Sequence, residues 1–343
     1  MSISIHLRAR SARRAPAAAA AALVGVAALA ACGDPDSASG GDCGYAFVFE
    51  QPTASNTAQQ TIQRGLELAE KDEGVDIDIV DGTGLAQVAD NLRAAADKGC
   101  YEAIGTAFFA VGEIVTEVAR DYPDQKFFIL SGAAEGDNVY NYSPANEQGT
   151  YVAGAMSAAM SESGVLGVVL GDDSPPLKRF SAGFKAGAQS VDPSVEVLEN
   201  AVGSFSDAAK AAAVARSQTT RGADVIYSAA GSNLEVYFQA DDKGYQVVAS
   251  DLSDYAAAKD RDPAVAFIAA EAADEEARFA IAQFVEGTAT AGSNELGLAD
   301  GVFSIPYITD DGTDDYQLPA HVVEAGKKAY DDVVSGKVDV PSA

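Results

Sequence analysis

Tyr45-Ala46-Phe47-Val48-Phe49-Glu50, Val75-Asp76-Ile77-Asp78-Ile79-Val80 and Tyr101-Glu102-Ala103-Ile104-Gly105-Thr106-Ala107 are short apolar runs separated by the amphipathic stretches 58–73 and 85–98. Runs of this length, rich in β-branched and aromatic residues, read as strands. The stretches between them repeat apolar residues at helical spacing. Strand, helix and strand in alternation make βαβ units, which predicts an α/β chain with a parallel, doubly wound sheet. The alternation continues through a helix at 112–121 and a strand at 126–131. A second series opens with a helix at 146–161 and carries strands at 164–170, 194–200, 224–228, 246–249 and 264–270. Its helices are read at 178–189, 207–221 and 234–244. A helix at 274–286 is placed to return to the first half, and a helix at 322–335 closes the chain. Two series in tandem predict two lobes, each a doubly wound parallel sheet, with a ligand between them at the C-terminal ends of the strands.

Outward from this domain, the N-terminus is a separate object. Residues 1–14 hold Arg8, Arg10, Arg13 and Arg14 and no acid, and an apolar run at 17–31 stops at Cys32. A basic region followed by an apolar run too short for a comfortable membrane span reads as a secretory signal. Leu29-Ala30-Ala31-Cys32 resembles a bacterial lipobox. That resemblance implies removal of the signal peptide 1–31 and lipidation of Cys32. Residues 32–43 are then a flexible tether, made largely of Gly, Asp, Ser and Ala, which cannot bury apolar surface.

The remaining roughly 310 residues suit two lobes better than one small core. Formal charge is −28, and loss of residues 1–31 with their four arginines makes it more negative. This balance argues against a nucleic-acid partner, whose phosphates need a basic face. It also leaves membrane attachment to the lipid on Cys32. Cys43 and Cys100 each precede a predicted strand. If those strands are neighbours, the two thiols meet at one edge of the sheet and can pair in an oxidising compartment; otherwise they are two buried free thiols.

Catalytic chemistry finds little support. The two histidines are His6, inside the signal, and His321. A His-based triad or a His-rich metal site is therefore disfavoured, and no nucleophile elbow or phosphate-cradling loop occurs. Gly82-Thr83-Gly84 follows a strand but lacks the third glycine of a dinucleotide turn. The expectation is a binding protein with no enzymatic activity, no cofactor and no metal.

Four runs carry a resemblance to a known family. Asn146-Glu147-Gln148-Gly149-Thr150-Tyr151-Val152-Ala153-Gly154 matches an E-x-G-x-y-x-x-G pattern. Pro175-Pro176-Leu177-Lys178-Arg179-Phe180-Ser181-Ala182-Gly183-Phe184 matches P-x-x-R-R-F-x-A-G-F at its leading proline and at Arg179, Phe180, Ala182, Gly183 and Phe184, with Lys178 in the position before Arg179. Val202-Gly203-Ser204-Phe205-Ser206-Asp207 matches G-S-F-x-D, and the run from Gly222-Ala223-Asp224-Val225-Ile226 to Ala229-Ala230-Gly231 matches G-A-D-V-I-x-x-A-A-G. In this order and spacing, the chain resembles the basic membrane protein (PnrA-like) family of ABC-transporter substrate-binding lipoproteins. The resemblance implies a periplasmic-binding-protein-like (type I) fold and a nucleoside-like ligand. It also implies permease subunits as partners, a monomer, and a lipid-anchored place on the extracytoplasmic face of the cell membrane. A sensor or surface lipoprotein of the same fold, and an importer component for another polar solute such as a sugar, are the alternatives.

The resemblance assigns a lobe of 44–145 with about 272–300, and a second of 146–271 with about 301–343. It matches Phe205 to a ring that stacks on a base, Gly231 to a glycine that admits ligand to the backbone, and Asp251 to an acid that accepts from ribose hydroxyls. Glu50 and Glu113 fall where the family places aspartates. The chain departs from the pattern in two places. Ala58 stands where a second stacking aromatic is expected, leaving Phe108, Phe109 and Tyr142 as candidate replacements, and no lysine occurs near Ala273-Asp274.

Overall fold

The computed structural model describes residues 43–231, 234–251, 255, 258, 265–305, 308 and 318–342. The signal peptide, Cys32, and the tether up to residue 42 lie outside the described residues.

The first lobe is built on β1 (Tyr45–Phe49), β2 (Ile77–Asp81), β3 (Ala103–Ala107), β4 (Lys126–Leu130) and β5 (Val139–Pro144). With β12 (Gly292–Leu296) they form a six-stranded sheet of order β12-β5-β4-β3-β1-β2, all neighbours parallel. Burial explains the composition of each strand. β1 is covered on both faces and is buried along its whole length, hence its unbroken Tyr-Ala-Phe-Val-Phe, whereas edge strand β2 is exposed at three of its five positions. Helices α1 (Thr57–Glu73), α2 (Leu85–Ala96) and α3 (Gly112–Asp121) connect these strands. The Asn56 side chain caps α1 by accepting from the Gln59 amide at 3.2 Å, and Gly74 ends that helix at φ +69°.

The second lobe repeats the plan. β6 (Val165–Leu170), β7 (Glu196–Ala201), β8 (Val225–Ala229), β9 (Gln246–Ala249) and β10 (Val265–Ile268) form a parallel sheet of order β10-β9-β8-β6-β7. Its helices are α4 (Asn146–Met160), α5 (Pro175–Val191), α6 (Ala208–Thr220), the short α7 (Glu235–Phe238) and α8 (Ala240–Lys243), and α10 (Ala320–Val334). α4 and α5 cross so closely that a Cβ on Gly154 would lie 1.9 Å from the Phe184 carbonyl oxygen, and one on Gly187 1.8 Å from that of Tyr151. Gly183 of the Ala182-Gly183-Phe184 run packs the same way, since a Cβ there would lie 2.2 Å from the Glu147 carbonyl oxygen.

The chain crosses between the sheets three times: at β5 to α4, between β11 (Ala270–Glu271) and α9 (Ala273–Val285), and after β12. β11 pairs antiparallel with β13 (Phe303–Ser304) among these crossings. α9 returns to the first lobe, where Gly65 of α1 admits the Asp274 backbone and Arg64 pairs with Asp274 at 2.7 Å.

Several elements differ from expectation. β5 and β12 were not anticipated, because Val-Tyr-Asn-Tyr-Ser-Pro and Gly-Ser-Asn-Glu-Leu are polar for strands. Both are secured by side-chain amides: Asn141 donates to and accepts from the Ala134 backbone, and Asn294 donates to the Asn141 carbonyl at 3.2 Å. The predicted helix at 234–244 is two short helices, with Gln239 between them donating to the Ala212 carbonyl. The pairing left open in the sequence is present: Cys43 and Cys100 form a disulfide, with Cα atoms 5.3 Å apart at the start of neighbouring β1 and β3.

Candidate ligand-binding cleft

In a doubly wound sheet the loops part on either side of the switch in strand order, opening a crevice beyond the strand ends. Both sheets do this, and their crevices face one cavity of about 800 Å³. The first lobe lines it with Ala58 and Thr61 of α1, Phe108 and Phe109 after β3, Ser131 after β4, and the end of β5. The second lobe contributes residues 175–177, Arg179 and Phe180 of α5, Ala229 and Gly231 after β8, and Ser250 and Asp251 after β9. The crossing segments add Asn146, Glu271 and Ala273.

Of the residues singled out from sequence, the structure brings Gly231, Asp251, Phe108 and Phe109 to this cavity. Phe109 is 60 % exposed, a large apolar ring left in solvent at the cavity wall. Phe108 precedes it at φ +78°, a backbone conformation that costs a non-glycine residue free energy. Phe205 stands beside the cavity rather than in its wall. Its ring covers Gly171, where a Cβ would approach within 2.1 Å, and it lies against Gly231.

Glu50 and Glu113 are not brought to the cavity. Glu50 follows β1 and its carboxylate accepts from the Gln51 amide, and Glu113 is exposed in the first turn of α3. Tyr142 requires a correction: it is not a replacement aromatic. It lies in β5 with its ring in the core, edge-on to Phe279, because alternation along the strand turns it into the sheet–helix layer. That burial raises its phenol pKa.

Residues not nominated from sequence complete the site. Arg179 donates to both carboxylate oxygens of buried Glu147 at 2.7 Å, and to Glu295 of β12. These hydrogen bonds raise its pKa further. Glu271 lies in β11; burial raises its pKa to about 7, the charge of Asp251 adds to the shift, and a hydrogen bond with Asn146 opposes it. Glu276 of α9 is fully buried and accepts from the Ser131 amide at 2.8 Å and its hydroxyl at 2.7 Å. Burial, then the charge of Glu271, pushes it to about 8 against those hydrogen bonds. Ser131 directly follows β4, and Glu271 is the last residue of β11, so both stand at strand ends.

The sign of the Glu276 effect is testable. Its folded pKa lies above the ordinary 4.5, so the folded state keeps a proton that the unfolded chain releases. The destabilisation is absent below the ordinary value, grows as pH rises, and is complete above about 8. Thermal melts of the ligand-free protein should therefore show stability falling across this window, and Glu276→Gln should flatten the fall. Parallel curves for the two proteins would contradict the assignment.

Among the described residues no helix is long and apolar enough to cross a membrane, and no group of three or more His, Cys, Asp or Glu side chains could hold a metal ion.

Comparison with known proteins bears on this arrangement. The family model described as ABC transporter substrate-binding protein PnrA-like matches residues 45–335. An ABC transporter nucleoside-binding protein of Lactococcus lactis is 30% identical over 142 residues, 41% of this chain and 40% of the relative. A purine-binding protein of Brucella abortus is 30% identical over 186 residues, 52% and 53% of the two chains. The chain thus spans about half or less of the length of these curated relatives. A solved ABC-transporter solute-binding protein from Aeropyrum pernix superposes with a TM-score of 0.64 at 21% identity, covering 88% of this chain and 94% of that one. At that identity the likeness speaks for the two-lobed fold alone.

Proposed function

The chain belongs to the PnrA-like family of ABC-transporter substrate-binding proteins, and from that premise we propose that it is the receptor of an importer for a nucleoside-like solute. Two lobes close on the ligand, and the closed form presents both to a membrane permease. Lipid on Cys32 holds the domain at the extracytoplasmic face of the membrane.

The observation that carries this reading is the cavity of about 800 Å³ between the strand ends of both lobes. It falls in the size range of small-molecule sites, and it is walled by aromatic rings with a few convergent polar groups. Asp251, at the end of β9, offers a carboxylate that can accept from two vicinal hydroxyls, the geometry a ribose presents. Phe205, packed on Gly171 and on Gly231 of the cavity wall, offers an aromatic face at the edge of the cavity. Ligand in contact with both lobes fits the closed form better than the open one, and that difference in affinity drives closure.

Thermal shift against nucleosides, free bases, pentoses and polyols tests the proposal. A ribose-bearing compound at a hundredfold excess over its Kd should stabilise by about 2.7 kcal/mol. The shift should vanish in Asp251→Ala and weaken in Phe205→Ala. Response to pentoses or polyols with none to nucleosides would replace the ligand class. Conversion of the bound compound, seen by product analysis after titration, would replace binding with catalysis.

A further inference from the structure

Two non-glycine residues among the described residues have a positive φ: Phe108 at +78° and Ser131 at +47°. Both border the cleft. They follow neighbouring strands, β3 and β4, and the Phe108 amide donates to the carbonyl of Leu130, the residue before Ser131, at 2.8 Å. A side chain in this backbone region costs free energy, and such residues persist only where their surroundings hold them.

Ser131 is held from behind the wall. Glu276, fully buried in the first part of α9, engages both polar groups of this residue: Oε1 accepts from the Ser131 amide at 2.8 Å, and Oε2 lies 2.7 Å from the hydroxyl oxygen. Burying that carboxyl is costly, for desolvation is the largest cause of its raised pKa and the charge of Glu271 the second. The next residue is confined as well. A Cβ on Gly132 would lie 2.5 Å from the Ile129 side chain and 3.0 Å from the Phe108 carbonyl oxygen. Ser143, itself in the cleft wall, donates from its hydroxyl to the Gly132 carbonyl at 3.0 Å. The turn after β4 is thus packed against Phe108 and pinned to α9 by Glu276.

We propose that Glu276 is a positioning residue of the ligand site: by engaging the amide and the hydroxyl of Ser131 together, it holds the turn after β4 in its strained form and so fixes Ser131 and Phe108 as a preformed contact for the solute. This rests on the cleft being the ligand site proposed above, and it deepens that reading by naming a first-lobe contact and the buried group that sets it. A serine hydroxyl bonded once still has capacity for a polar group of the solute, and Phe108 brings an aromatic ring to the same wall. Order built into the wall beforehand is order the solute does not have to impose, which favours affinity. The role also accounts for an acid kept where its burial is costly.

The test is titration calorimetry of the intact protein at pH 7 with adenosine, guanosine and D-ribose as probes. Glu276→Met keeps the bulk of the side chain and removes its oxygens. It should weaken whichever probe binds by about tenfold, within the range that one strained residue costs. Glu276→Gln should recover most of that loss, since its amide oxygen accepts from the Ser131 amide and its amide nitrogen donates to the hydroxyl oxygen. In a Ser131→Gly background, where glycine takes φ +47° without support, Glu276→Met should weaken binding by no more than about twofold further. A second pair of variants leaves Glu276 in place and serves if Glu276→Met does not fold. Ser131→Ala should bind more weakly than Ser131→Gly, although both lack the hydroxyl, because alanine relaxes out of the turn and must be driven back on binding. An equal loss from Glu276→Met in both backgrounds would show that Glu276 acts on the lobe as a whole. Equal affinities of the alanine and glycine variants would show that the strain has no part in binding. Either result overturns the proposal and leaves the ligand site standing. Failure of all three probes to bind the parent would overturn the ligand reading and the proposal with it.

Discussion

Replacing Cys43 and Cys100 together by serine is expected to lower stability by about 4 kcal/mol, on the loop-entropy account of a cross-link. The two cysteines lie 57 positions apart, and between them run β1, α1, β2 and α2. Closing a loop of that length removes many conformations from the unfolded chain. The native side requires little adjustment, since β1 and β3 are already neighbours and the Cys43 amide donates to the Cys100 carbonyl at 3.2 Å. For a domain of this size the loss corresponds to a fall in Tm of roughly 8 °C. Melting the parent with and without reductant, beside the double serine variant, measures it. The reduced parent and the variant should coincide. A variant melting within about 2 °C of the oxidised parent would show that the cross-link adds no stability. The bond also bears on where the chain works, because such pairs persist in exported, oxidising surroundings.

How far the molecule could be read from sequence depends on where each residue takes its stability. β1 is legible because its burial on both faces forces an unbroken apolar run. β12 is not, because a strand such as Gly-Ser-Asn-Glu-Leu owes its place to pairing with β5 and to the Asn294 amide, neither of which leaves a local pattern. The same division runs through the cleft. Asp251 and Gly231 were named by the family resemblance, and both follow strands predicted with clear ends, which is where the cavity lies. Glu271 follows a strand read as one run to residue 270, which in the structure breaks at Ala269 and resumes as β11. Tyr142 failed for a different reason: with β5 unread, nothing showed which face of a strand it occupies. Glu147 and Arg179 were visible as members of two motifs, yet their contact, 32 positions apart, depends on how α4 crosses α5.

That contact yields the other large expected effect. Arg179→Ala should destabilise by about 3 kcal/mol, the low end of the range for removing one partner of a buried pair. The Glu147 side chain is only 6% exposed, so it would be left charged, enclosed and without its two hydrogen bonds. The low end applies because the Arg179 side chain is 27% exposed, and water can enter the space it leaves. Adding Glu147→Gln to Arg179→Ala removes the stranded charge and should recover much of the loss, whereas independent sites would give additive losses. Urea denaturation of the parent, both single variants and the double variant closes this cycle, and additive losses would show that the pair is not coupled. Arg179→Lys should not rescue, since a single ammonium cannot reproduce the two parallel hydrogen bonds to Glu147 while also reaching Glu295. Glu295 belongs to the first sheet and Arg179 to the second lobe, so the guanidinium ties the lobes at the edge of the cleft as well as bracing α4 against α5. A ligand assay on the same variants separates the two roles. Loss of the tie to Glu295 alone, in Glu295→Gln, should change affinity with little change in stability, because Glu295 is more than half exposed and its exposed ion pair contributes little to folding.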